Sequence, residues 1–129
     1  MKYSFKCEKL VRDRMPEIIK EQGGFPCVET LDRKSSIMAL KEKLCEEAKE
    51  VLDADDRQQI IEELADLREV IDALAQKLCI DHTEIDTIKR QKKLKNGGFE
   101  RSVFMKTVET TENSRASQYL SKYPYVIMR

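Results

Sequence analysis

Residues 36–78, SIMALKEKLCEEAKEVLDADDRQQIIEELADLREVIDALAQKL, decide the fold. Ile37, Leu40, Leu44, Ala48 and Val51 recur at helical spacing, which predicts one amphipathic helix ending near Ala54. Asp56, with Gln59 three residues on, has the capping-box pattern of a second helix start. That second helix carries its own apolar stripe through Ile60, Leu64, Leu67, Val70, Ile71, Leu74 and Leu78. The short turn between the stripes implies that the two helices pack antiparallel.

Toward the carboxyl terminus, Asp81 and Glu84 repeat the capping-box pattern and open a third long helix. It collects Lys89, Arg90, Lys92, Lys93 and Lys95 before Asn96-Gly97-Gly98 stops it. Beyond Phe99 the periodicity fades: Thr107 to Ser117 is polar, and Tyr119 to Met128, rich in Tyr and β-branched residues, reads as a strand or an arm. Toward the amino terminus, Ser35 or Ser36 is the expected cap of the first long helix, and residues 25–31 read as a loop or short extended segment. A short helix with Pro16 in its first turn and Asp13 as its cap is expected to end at Gly23-Gly24, after an extended stretch from Tyr3 to Leu10. The expected fold is therefore all-α: an antiparallel helical bundle with short extended terminal segments, its domain covering residues 1–108 and a tail or arm covering 109–129.

Composition agrees. Charged residues make up 37% of the 129 and aromatics 6%, with no Trp, which suits helices with wide solvated faces better than a β-sandwich. Lys plus Arg and Asp plus Glu each total 24, so no global field draws the chain to nucleic acid or an anionic membrane, and any charge-based function must be local. The basic run also lacks the interleaved aromatics of a nucleic-acid surface. Cys7, Cys27, Cys45 and Cys79 are scattered without the close pairs of a zinc or redox motif and read as reduced, structural thiols. With no signal-like amino terminus and no run of about eighteen apolar residues, a cytoplasmic protein without membrane partners is expected.

The charge that matters locally is acidic. Glu46-Glu47-x-x-Glu50 lies in the first long helix and Glu63-x-x-Asp66 in the second. At roughly 100° per residue, Glu47 and Glu63 each fall about 50–60° from the centre of their helix's stripe, and Glu50 and Asp66 about 60° further round on the same side. Glu46 and Glu62 fall roughly 150–160° away, where solvated glutamates normally sit. One such motif in a Glu-rich chain is usually a solvated face. Two with matching offsets on adjoining helices place Glu47, Glu50, Glu63 and Asp66 on one rim, where like charges need a cation. Mg²⁺, or Mn²⁺, suits oxygen ligands, whereas one histidine and scattered thiols make zinc a poor match.

These two motifs resemble the hallmark of the MazG-like, all-alpha nucleoside triphosphate pyrophosphohydrolase superfamily. Lys9-Leu-Val-Arg-Asp-Arg-Met-Pro-Glu-Ile-Ile19 and Lys95-Asn-Gly-Gly-Phe99 narrow the resemblance to a branch of predicted house-cleaning enzymes, over Lys9 to about Arg101. The resemblance implies a homodimer or higher homo-oligomer, magnesium on the four carboxylates, and hydrolysis of a nucleoside triphosphate to monophosphate and pyrophosphate. The tail after Val108 has no counterpart in that branch.

Phosphoanhydride hydrolysis needs charge neutralisation, a positioned water and a stabilised leaving group. Glu47 and Glu50 are the catalytic candidates, one of them taking a proton from water. Lys9, Arg12, Arg14, Lys93, Lys95 and Arg101 are candidates to bind the polyphosphate, although a basic last turn also complements a helix dipole. Phosphoribosyl-ATP, dUTP or dCTP as substrate, or a non-catalytic helical module binding nucleotide and metal, are the competing expectations.

Overall fold

The computed structural model describes residues 1–125 and contains five helices: α1 (Met15–Glu21), α2 (Arg33–Asp53), α3 (Arg57–Lys77), α4 (His82–Asn96) and α5 (Arg115–Leu120). Among the described residues there is no strand, so the fold is all-α. None of the helices is long and apolar enough to cross a membrane. The chain divides into two compact units, Met1–Gln91 and Lys92–Arg129, with the boundary inside α4.

In the first unit, α2 and α3 form a helical hairpin across the turn at residues 54–56. The Arg33 guanidinium at the start of α2 donates to the Lys77 carbonyl at the end of α3 (3.2 Å). Leu40, Val70 and Ala75 are buried between the helices, and Ile37, Leu44, Ile60, Leu67 and Leu74 are half-buried. Ala48, Leu64 and Ile71 also belong to the stripes read from sequence, yet they stay exposed, because one hairpin covers only part of each apolar face.

The helix ends follow from short side chains and backbone geometry. Asp56 accepts from the Gln59 amide (2.8 Å), as its spacing predicts. Asp81 accepts from the Thr83 amide while Glu84 reaches back to the Asp81 amide (3.0 Å), so this capping box closes. The cap of α2 differs from expectation. Asp32, not Ser35 or Ser36, fills it and accepts from the Ser35 amide (2.8 Å), because Arg33 and Lys34 continue the helix backward and leave both serines inside it. Asp13 does not cap α1 either: Arg14 takes that position without a side-chain bond, and Pro16 fits the first turn.

Two helices end in the same left-handed device. Gly23 (φ +92°) follows α1, with Gly24 N–H donating to the Ile19 carbonyl (2.9 Å) and Gly23 N–H to Lys20 (3.1 Å). After α3, Cys79 (φ +57°) takes the equivalent place, with Ile80 N–H donating to Ala75 (2.8 Å) and Cys79 N–H to Gln76 (3.1 Å). A Cβ there is strained, and the thiol is exposed, so Cys79 is not the structural packing thiol expected from sequence; Cys45 is exposed as well. Cys79→Gly is expected to raise unfolding stability by about 1 kcal/mol, read as a later urea midpoint at unchanged m-value.

The second unit holds the end of α4 and α5, the latter capped by Ser114, whose hydroxyl accepts from the Ser117 amide (3.1 Å). Tyr119, which begins the segment read from sequence as a strand or arm, lies in α5. Its ring meets that of Tyr123, four residues on and past the end of the helix, edge-on at 5.3 Å. Through residue 125 that reading meets no strand, and its last residues, 126–128, lie outside the described residues.

Candidate metal centre

The hairpin presents Glu47 from α2 and Glu63 and Asp66 from α3, with one carboxylate oxygen of each lying within 4.8 Å of the others. Glu47 is the most enclosed of them, at 8% exposure, and is the only buried acidic residue among those described. Matching offsets from two apolar stripes produce this result: pairing the stripes brings the acidic edges together along one side of the seam.

Glu50 is exposed on the next turn of α2 and is not one of the three converging groups. Its charge still reaches Glu63. Partial desolvation raises the Glu63 carboxyl above its ordinary range, and the negative charges of Glu50, Asp66, Glu47 and Glu62 push in the same direction, Glu50 most among them. Glu63 thus feels the charge of the other three acids singled out from sequence, although only Glu47 and Asp66 come within ligand reach of a common point with it.

Cations enter from two sides. The Arg12 guanidinium, on the segment before α1, donates to Asp66 Oδ1 at 2.7 Å across 54 residues of sequence. From the same segment, Lys9 lies 3.6 Å from Glu46 Oε1. Within α2, Lys43 Nζ donates to Glu46 Oε1 (3.2 Å) and lies 3.5 Å from Glu47 Oε1. Sequence reasoning missed Lys43. Its spacing of four from Glu47 was the available signal, but that pattern is common on solvated helices, and only the structure shows that this lysine side chain is 16% exposed. Glu46, read as a solvated glutamate, is instead half-covered between two lysines.

Arg14 pairs with Glu17 within α1 (3.7 Å). Lys93, Lys95 and Arg101 belong to the second unit, where Lys93 donates to Glu100 (2.9 Å) and so holds that carboxyl below its ordinary range. His82 is exposed beside Asp81.

The donor set fits a hard divalent cation. Three carboxylates supply only oxygen, Glu63 is penalised for its charge by its neighbours, and no thiol or imidazole is among the three. Water completes the shell of such ions readily when protein supplies few ligands.

Residues 9–92 match the family model described as phosphoribosyl-ATP pyrophosphohydrolase. No curated protein and no solved structure matches the chain. The matched span contains Arg12, the Lys43–Glu47 turn, Glu63 and Asp66, so the converging carboxylates lie within it. The chain belongs to the phosphoribosyl-ATP pyrophosphohydrolase family, a family of nucleotide pyrophosphohydrolases within the MazG-like all-α superfamily.

Proposed function

We propose that the protein hydrolyses a nucleoside triphosphate, non-canonical ones included, to the monophosphate and pyrophosphate with Mg²⁺ on Glu47, Glu50, Glu63 and Asp66. The observation that carries this reading is the meeting of Glu47, Glu63 and Asp66 within 4.8 Å on two different helices. When bound there, Mg²⁺ supplies neutralisation of the polyphosphate charge and acidifies water. Water adds to phosphorus as the bridge between the α and β phosphates breaks, and pyrophosphate carries away the bonding electrons. Glu47 is engaged by Lys43, whereas Glu50 is exposed and has no ion pair among the described residues. Of the two catalytic candidates we assign Glu50 to take the proton of the attacking water. Arg12 keeps further N–H donors beyond the one on Asp66, enough to hold a phosphate oxygen as well. Lys9 and Arg14, in the same unit as Arg12, are the further cations proposed for the polyphosphate.

A second reading keeps the site and changes the substrate. The family match favours phosphoribosyl-ATP, whose cleavage also releases pyrophosphate. Either reading extends to a homo-oligomer, a dimer or larger, because Leu52 on α2 and Leu64 on α3 remain 81% and 49% exposed and a further copy can cover such side chains.

The test is turnover of phosphoribosyl-ATP and a panel of canonical and modified nucleoside triphosphates, including dUTP and dCTP, with Mg²⁺ or with EDTA. Pyrophosphate release in Mg²⁺ alone supports the reaction, and the ranking of kcat/KM selects the substrate. A folded sample that binds nucleotide and releases no pyrophosphate from any of them makes the protein a binding module.

A further inference from the structure

Lys43 lies deeper in the hairpin than any other cation paired at this site: its side chain is 16% exposed, against 51% for Lys9 and 61% for Arg12. Lysine loses rotamer freedom and hydration when enclosed, so a position like this requires compensation from its partners. Here the partners are consecutive. The ammonium bridges Oε1 of Glu46 (3.2 Å) and Oε1 of Glu47 (3.5 Å), and Glu46 is held from its other side by Lys9. Glu47 is the innermost carboxylate of the converging three.

We propose that Lys43 is a positioning residue for the metal centre, clamping the Glu47 carboxylate from within α2 so that it faces Glu63 and Asp66 in one orientation. This rests on the reading of those three groups as a cation site. The clamp and Arg12 divide the work. Arg12 compensates Asp66 from the amino-terminal segment and Lys43 compensates Glu47 from its own helix, while Glu63 has no cationic partner among the described residues. The arrangement leaves one net negative charge on the group of Glu47, Glu63, Asp66, Lys43 and Arg12, enough to attract a cation while the carboxylates stay ordered.

Positioning and simple electrostatics predict opposite signs, which makes the role testable. Removing a positive charge beside a cation site tightens metal binding by Coulomb's law. Removing a side chain that orients a ligand weakens it, typically 10–100-fold. The experiment is Mn²⁺ titration of the full chain by electron paramagnetic resonance, for wild type, Lys43→Met, Lys43→Gln and Lys43→Arg, with circular dichroism melts in EDTA. The expected result is Mn²⁺ binding weakened on the order of 10–100-fold in Lys43→Met, weakened less in Lys43→Gln, whose amide still donates, and retained in Lys43→Arg. If Lys43→Met does not fold, the ordering of the Gln and Arg variants against wild type carries the same decision. Unchanged or tighter binding in the neutral variants overturns the clamp while leaving the site intact. Wild-type protein that takes up no Mn²⁺ overturns the cation site and the clamp with it.

Discussion

Glu47→Gln is expected to lower pyrophosphate release at least about 10²–10³-fold, the scale of losing one preorganised electrostatic group at a reacting centre. The fold is expected to survive. Glutamine matches glutamate in volume, its carbonyl can still accept from Lys43, and the buried hydrophobic residues Leu40, Val70 and Ala75 are untouched. What changes is the negative charge at the most enclosed of the three converging positions. The control is Glu46→Gln, next in sequence and also bonded to Lys43, but outside the converging group. Its effect is expected to be severalfold at most. Initial rates of pyrophosphate formation, with circular dichroism to confirm helix content, check the pair. Near-normal turnover in Glu47→Gln removes Glu47 from the site, and equal losses in both variants show general disturbance of α2.

The contrast between Glu46 and Glu47 also shows how far sequence reading reaches. Angular offset from an apolar stripe is a local property, so counting residues put Glu47, Glu50, Glu63 and Asp66 on one rim and kept Glu46 off it, while the structure leaves Glu50 out of the converging three. The caps of α3 and α4 were legible for the same reason, since Asp56 with Gln59 and Asp81 with Glu84 act within a single turn. The cap of α2 was not, because Asp32, Ser35 and Ser36 all qualify chemically and the choice depends on how far the helix extends backward. Arg12 on Asp66 spans 54 residues and required the fold, although its residue type was suggestive. Lys43 was hidden differently. A lysine four residues from a glutamate is ordinary until burial distinguishes it, and burial at the seam comes from α3 rather than from its own helix. The exposed Leu64 and Ile71 mark the remaining gap: periodicity identifies an apolar face but not what covers it.

Metal removal is expected to reverse how stability responds to pH, and the sign follows from Glu63. Its carboxyl is raised above the ordinary value of 4.5 by partial desolvation and then by Glu50, Asp66, Glu47 and Glu62. A carboxyl raised in the folded state favours folding while protonated. Its contribution is complete below the ordinary value and is lost as pH rises from 4.5 through the higher folded value. In EDTA, ionisation of Glu63 therefore subtracts stability across that mildly acidic window. The capping acids Asp32 and Asp81 and the Lys93-paired Glu100 are shifted the other way. Their contributions are present above the ordinary values and are lost only as pH falls through their lower folded values, so they do not produce a decline above 4.5. With Mg²⁺ present, the same ionisation creates the ligand, and stability gained from the ion grows as pH rises. At an ion concentration about 100 times Kd the gain is about 2.7 kcal/mol, a Tm increase on the order of 10 °C for a chain of this size. The difference in Tm between Mg²⁺ and EDTA is thus expected to widen from pH 4.5 toward neutrality. Glu63→Gln is expected to flatten the decline in EDTA and to abolish most of the Mg²⁺ gain, since it removes both the repelled charge and the ligand. Differential scanning fluorimetry over this pH range, with and without the ion, measures both effects. A Tm difference independent of pH in wild type places ion binding away from Glu63, and a Glu63→Gln protein that keeps the full Mg²⁺ gain does the same by a separate route.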